Sequence, residues 1–259
     1  MIKIDCKKYA DEILEQVSHV PDKGTLLIVT TGHDPASESY VRGKLKDAEK
    51  CGITAHKAVV NNQESLRNLV TNSVVYSNAS GIIVQLPLPE GFNEEECVNY
   101  VPTHKDVDGF KAGSPFLPCT PEGIMYILKK EIGDLTGKTA LVIGRGKLVG
   151  EPIAKLLLKA DCTVTIAHSK TKNLTQMIQG YHYDFIICAA GVPELVDLAD
   201  CHANIVIDAG IGVKDGKLCG DCYNFTEKFS PNMKVATIPN GIGLMTRAML
   251  MAHVARLEV

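Results

Sequence analysis

A chain of 259 residues has room for one large α/β domain or two modest ones. Hydrophobic residues make up 45% and charged residues 22%, an ordinary globular balance with no internal repeat or low-complexity tract. A net charge of −3 gives no reason to expect nucleic-acid binding or attraction to an anionic membrane. The nine cysteines are odd in number and irregular in spacing, which fits reduced thiols of a cytoplasmic protein better than a disulfide framework. Cys219 and Cys222 form a single C-x-x-C without a second ligand pair, so no metal site is expected. The first residues lack an apolar signal core, and no apolar run is long enough to span a bilayer.

In chain order, residues 6–18 carry Tyr9, Ile13, Leu14 and Val17 at helical spacing after a cap at Asp5. Leu26 to Thr30 predicts a buried strand. Asp34 caps a following helix, Pro35 occupies its first turn and Gly52 ends it. Tyr40 and Lys44 lie on one face of that helix. A lysine sheltered beside an aromatic can join acid–base chemistry; otherwise it is a surface lysine. Ile53 to Val60 is strand-like but interrupted by polar residues. A helix over 63–77 uses Leu66, Leu69, Val70, Val74 and Val75. Gly81 to Leu86 predicts another strand, with Gln85 near its carboxyl end, where open α/β sheets bind ligands. Gln85 either meets a substrate, holds Lys44, or satisfies loop backbone. Asp106 and Asp108 share a loop before Gly109, as two carboxylates for a metal or a polar ring, or as a capped turn. A helix from about Glu122 to Glu131 leads into the second half.

There, Thr139 to Ile143 breaks at Gly144, Gly146 and Gly150. That spacing predicts a strand, a tight turn and a helix start whose unpaired N–H groups attract a pyrophosphate. The next strand, Thr163 to Ala167, ends in His168-Ser169-Lys170-Thr171-Lys172 without the acid that would bind the ribose hydroxyls of NAD. A hydroxyl, two lysines and Arg145 suit the 2′-phosphate of NADP; a solvated basic loop is the plain alternative. Strands at Phe185–Cys188, Ile205–Asp208 and Lys234–Ile238 and a final helix to about Arg256 complete the pattern.

Several segments, in one order, resemble the bifunctional methylenetetrahydrofolate dehydrogenase/methenyltetrahydrofolate cyclohydrolase family. They are Tyr40-x-x-x-Lys44, Val84-Gln85-Leu-Pro-Leu-Pro89, Lys105-Asp-Val-Asp-Gly-Phe110, Pro118-Cys-Thr-Pro121 and Gly144-Arg-x-x-x-Val-Gly150. His168-Ser169, Ala190-Gly191-Val-Pro193, Asp208-Ala-Gly-Ile211, Gly220-Asp221 and Ile238-Pro239 extend the likeness over nearly the full chain. The resemblance implies two α/β domains across a cleft, the second a Rossmann-type parallel sheet. Residues 1–120 with a returning helix at 241–259 would form the folate-binding catalytic domain, and residues 121–240 the NADP domain. It implies oxidation of 5,10-methylenetetrahydrofolate with NADP, then hydrolysis of the methenyl product to 10-formyltetrahydrofolate, by a cytoplasmic homodimer. Carried over, Lys44 would move the proton, Gln85 would position it, and Asp108 would bind the pterin. Tyr40 and Gly241 would contact substrate, alongside Gln85 and Asp108. Gly144, Arg145, Gly146, Val149, Gly150, His168, Ser169, Ala190, Gly191 and Ile211 would line the cofactor.

The chain also departs from the family pattern. Only Lys-Ala-Gly-Ser-Pro separates Phe110 from Phe116, Gly146 replaces a usual serine, and Asn240 and Leu244 stand where glycine and proline are usual. A dehydrogenase without hydrolysis, or a folate- or nucleotide-binding protein without turnover, are the competing expectations.

Overall fold

The structure, a computed structural model, describes residues 1–32, 34–72, 77–225 and 231–259. Val74 and Val75 of the expected third helix lie outside the described residues. The chain divides into two compact units, Met1–Tyr9 with Thr120–Thr246, and Ala10–Cys119 with Arg247–Val259. Two elements tie the first nine residues to the second half of the chain. The strand β1 (Ile2–Lys3) pairs with Lys234 and Val235. Helix α1 (Cys6–Ser18) begins in the same unit, where the Tyr9 hydroxyl donates to Glu131 at 2.8 Å.

In the unit of residues 10–119 and 247–259, three parallel strands lie in the order β3-β2-β4. They are β2 (Thr25–Thr30), β3 (Thr54–Val59) and β4 (Gly81–Val84). Leu26 to Thr30 is buried throughout, as befits a central strand covered on both faces. β3 is an edge strand, which accounts for its polar interruptions. Helix α2 (Pro35–Cys51) starts where Asp34 accepts the Ser37 N–H at 2.7 Å. It ends at Gly52, whose φ of +74° closes the last turn onto Ala48 and Glu49. Helix α3 (Gln63–Asn72) packs Leu66 and Val70 against Leu27, Val29, Ile82 and Val84. Helix α4 (Glu94–Tyr100), capped by Asn93, adds Cys97 to that core. At seven residues it is too short to announce itself by period.

The other unit holds a six-stranded, all-parallel sheet in the order β1-β13-β9-β7-β5-β6. Helix α5 (Cys119–Ile132) leads into β5 (Thr139–Ile143), followed by α6 (Gly150–Lys159), β6 (Thr163–Ala167), α7 (Leu174–Gly180) and β7 (Tyr183–Cys188). After β8 (Val196–Asp197) come β9 (Ala203–Asp208), a hairpin of β10 (Gly212–Lys214) and β11 (Lys217–Cys219), β12 (Cys222–Tyr223) and β13 (Lys234–Ala236). The chain adds β6 on one side of β5 and then crosses to add β7 on the other. That reversal makes the carboxyl ends of β5 and β7 the topological switch point, where doubly wound sheets bind nucleotides. The last helix, α8 (Ile242–Val254), starts in this unit and continues in the first one.

Candidate active site

The face of α2 predicted to carry Tyr40 and Lys44 does so. Lys44 is 4% exposed, and its Nζ donates to Gln85 Oε1 at 3.0 Å. The same ammonium lies 5.3 Å from the centre of the Tyr40 ring, a cation–π distance. Gln85 sits just past β4, its backbone N–H bonded to Val29 O, and its own Nε2 donates to Leu86 O at 2.7 Å. That second bond fixes which amide atom faces Lys44, because the opposite orientation would set an NH₂ against the ammonium. A further tie holds the helix itself. The Arg247 guanidinium crosses Gly43, where a Cβ would lie 1.9 Å from Nη1. Its Nε forms an ion pair with Asp47 at 2.9 Å, without hydrogen-bond alignment.

Asp106 and Asp108 take different roles. Asp106 holds the turn, accepting the N–H groups of Gly109 at 3.2 Å and Lys111 at 2.8 Å. Asp108 is buried, which pushes its carboxyl above the ordinary carboxylate range; the charges of Lys44 and His253 act against that rise, and Asp106 reinforces it. The backbone around it is clamped. His253 Nδ1–H donates to Val107 O at 2.8 Å, the Cys119 thiol donates to the same carbonyl, and the Cys119 N–H donates to Asp108 O at 3.2 Å. His253 stacks on Phe116 at 4.5 Å, with the Arg256 guanidinium 4.7 Å from the other ring's centre. The short segment after Phe110 is tied back too: Ser114 Oγ donates to Asp106 O, and Lys111 Nζ to the carbonyls of Asn99 and Val101. Neither His253 nor Cys119 stood out in sequence as a site residue, and of the two readings offered for Asp106 the capped turn is the one its bonds fit.

In the other unit, the glycine turn separates into required and permitted positions. A Cβ on Gly144, at φ +112°, would lie 2.2 Å from Ala189 O, so β5 and the loop after β7 meet backbone to backbone. A Cβ on Gly150 would lie 2.4 Å from Gly144 O. Gly146 has nothing within 4 Å of such an atom. Arg145 and Gly146 are exposed, Val149 is half-buried as the residue before α6, and Gly150 is buried. After β6, His168 Nδ1 accepts the Lys170 N–H and Thr171 Oγ1 accepts the His168 N–H, forming a tied turn with Ser169 and Lys170 exposed. Ala190 is half-buried, Gly191 is exposed, and the Ile211 carbonyl lies 3.5 Å from a Cβ placed on Gly191. Gly241 is in the same unit, before α8. Among the described residues no His, Cys, Asp and Glu cluster is arranged to hold a metal ion.

Two buried aspartates, Asp208 and Asp221, organise the surroundings of that loop. Burial raises the Asp208 carboxyl to about 6, against three amide donors (Cys222, Asp221 and Gly210) that favour its charged form. Burial raises Asp221 as well, opposed by the amides of Ala190, Val192 and Gly191.

Residues 4–108 match the sequence profile of the tetrahydrofolate dehydrogenase/cyclohydrolase catalytic domain, and residues 118–258 that of the same family's NAD(P)-binding domain. The chain belongs to this family. The bifunctional protein FolD of Agathobacter rectalis is 36% identical, over 97% of this chain and 95% of its own length. FolD 3 of Ectopseudomonas mendocina is 40% identical, over 93% of this chain and 84% of its own length. Among solved structures, the bifunctional FolD of Campylobacter jejuni superposes with a TM-score of 0.86 at 33% identity, covering 99% of this chain and 98% of that one. The Trypanosoma brucei dehydrogenase-cyclohydrolase, solved with NADP cofactor and an inhibitor, gives 0.86 at 26% identity, covering 98% and 95%.

The departures from the family pattern acquire physical readings. Asn240 adopts φ +67°, a left-handed conformation that asparagine tolerates better than other side chains, so it can stand in for glycine. Gly241 cannot be replaced so easily, since its Cβ would lie 2.0 Å from Thr237 O. Leu244 is half-buried in the first turn of α8, with its N–H bonded to Gly241 O. At Gly146 there is open space for the missing side chain.

Proposed function

We propose that this protein oxidises 5,10-methylenetetrahydrofolate with NADP and hydrolyses the resulting methenyl cation to 10-formyltetrahydrofolate. The observation that carries the reading is the buried Lys44–Gln85 pair beside Asp108, in a chain of this family. Residues 10–119 and 247–259 would hold the folate, with Tyr40 against its aromatic part and Asp108 on the pterin edge. The sheet unit would hold NADP at the switch point, using Gly144, Arg145, Gly146, Val149 and Gly150, with Ala190, Gly191 and Ile211 beside it. His168 and Ser169, with Lys170, support NADP over NAD, because β6 ends without an acid for the ribose hydroxyls. Gly241 would complete the substrate contacts.

In the first step, hydride leaves the bridging methylene carbon for C4 of the nicotinamide, and the electron pair of N5 or N10 stabilises the amidinium-like cation that remains. Orientation of the two reactants supplies the rate, and no strong base is needed. In the second step, water adds to the methenyl carbon, one water proton is released, and the bond from that carbon to N5 breaks as N5 is protonated. Lys44 would pass that proton, a role supported by the bond through which Gln85 holds its Nζ. A homodimer in the cytoplasm belongs to the same reading. Its support is the family; no helix of the described residues is long and apolar enough to cross a membrane. The test is a spectrophotometric assay with 5,10-methylenetetrahydrofolate and either NADP or NAD, following reduced cofactor, methenyl and formyl products separately. Turnover with NADP and little free methenyl intermediate is expected. Accumulating methenyl product would leave a dehydrogenase only.

A further inference from the structure

The loop after β7 contains three successive N–H groups that converge on one point. Asp221 Oδ2 accepts from Ala190 at 2.6 Å and from Gly191 at 3.3 Å, while Oδ1 accepts from Val192 at 2.8 Å. Successive backbone N–H groups of this kind form an anion-binding concavity. Here the protein's own carboxylate, 0% exposed, fills it.

Asp221 is itself held. Asp208, at the carboxyl end of β9, accepts the Asp221 N–H at 3.1 Å through Oδ1 and the Cys222 N–H at 3.1 Å through Oδ2. Two glycines make the arrangement possible, and they interlock. A Cβ on Gly210 would lie 2.0 Å from Asp221 Cγ, and a Cβ on Gly220 would lie 1.9 Å from Asp208 Oδ2. Each aspartate therefore packs on the glycine beside the other one. Asp208-Ala-Gly210 and Gly220-Asp221 are one device divided by the β10–β11 hairpin.

Its position gives the device a function. The loop it shapes continues directly from Ala189, whose carbonyl would lie 2.2 Å from a Cβ on Gly144, at the switch point of the sheet. We propose that Asp221 is a positioning residue for the dehydrogenase: its carboxylate occupies the concavity of residues 190–192 and holds that loop in the shape that receives the dinucleotide. The inference rests on the NADP reading above. Asp221 is fully buried, and its carboxylate faces the backbone N–H groups of residues 190–192. With one of the two carboxylate oxygens gone, at least one of these N–H groups loses its acceptor, and the loop must open to water to satisfy it.

The test is Asp221→Asn, which keeps the size of the side chain but replaces one acceptor oxygen with a donor. NADP is titrated at saturating 5,10-methylenetetrahydrofolate, and hydrolysis of 5,10-methenyltetrahydrofolate is measured without nucleotide on the same preparation. The KM for NADP should rise by about tenfold to a hundredfold, the loss expected for charge-assisted bonds, with hydrolysis unchanged. A reduced kcat at unchanged KM for NADP would mean a smaller active fraction and would overturn the proposal. No NADP turnover in the wild-type enzyme would overturn the cofactor assignment and this inference with it. Normal wild-type turnover beside an unaffected Asp221→Asn would overturn this inference alone. Should the variant fail to fold, hydrogen exchange on the wild-type protein answers the question. The amides of 190–192 should be protected without nucleotide, and rapid exchange there would contradict the assignment.

Discussion

Around Lys44, side chains from regular elements build the candidate site; around Gly144, the backbone builds it. Lys44 comes from the middle of α2 and Gln85 from the end of β4, and each is fixed by a side-chain bond. At the switch point the decisive contacts are between main chains, Gly144 against Ala189 and Gly150 against Gly144, and the acidic side chains nearby serve backbone amides. The two regions should therefore fail differently. Removing a functional group near Lys44 should stop a chemical step in a folded protein, whereas adding a single carbon at Gly144 should displace a loop.

The largest effect is expected from Lys44→Met. It should lower hydrolysis by about 10²–10⁴-fold, the usual worth of a placed proton-transfer group, and leave folate binding intact. Equal loss of hydrolysis, hydride transfer and binding would make Lys44 a structural residue. Gly144→Ala should do the converse, weakening NADP binding and costing on the order of 1–3 kcal/mol in stability, because a Cβ would meet Ala189 O at 2.2 Å. Hydrolysis measured below the new melting point should persist.

The buried carboxylates add a pH signature. Burial raises the Asp208 carboxyl from its ordinary 3.8 to about 6 in the folded protein. Between those values the folded state keeps a proton that the unfolded state releases, so this group's contribution to stability falls as pH rises and levels off above the folded value. The shift corresponds to about 3 kcal/mol. Thermal melts of wild type and Asp208→Asn should therefore show wild type losing ground against the variant from pH 4 to 6.5. A gap independent of pH would show that Asp208 ionises normally.

Smaller effects sharpen the contrast within the glycine and asparagine positions. Asn240→Ala should destabilise by about 1 kcal/mol, since alanine lacks the polar side chain that eases φ +67°. Gly146→Ser should change the melting point hardly at all, within about 0.5 kcal/mol, because the space is open. A large loss there would mean that the turn is tighter than its geometry indicates.

Local chemistry was legible in the sequence, and distant partnership was not. The caps of α2 at Asp34 and Gly52 were readable because each signal lies beside the turn that it makes. The parallel sheet was readable because its strands are apolar runs separated by amphipathic helices. β1 was not, since two residues show no period and its partner is more than 200 positions away. The site around Lys44 needed the family resemblance to single it out, because the Lys44–Gln85 bond joins elements 41 residues apart. His253 and Cys119 were missed for the same reason: they act through the Val107 carbonyl, a backbone atom without a sequence signature. The spacing of Asp208-x-Gly210 and Gly220-Asp221 was visible as motif, but only the distances show why each acid requires the other's glycine.

The most direct test of the account follows both half-reactions in wild type and Lys44→Met, with 5,10-methylenetetrahydrofolate and NADP, recording reduced cofactor and methenyl product together. The account predicts coupled conversion to 10-formyltetrahydrofolate in wild type, and NADPH formation with accumulating methenyl product in the variant. Undiminished hydrolysis in a folded Lys44→Met protein would contradict it.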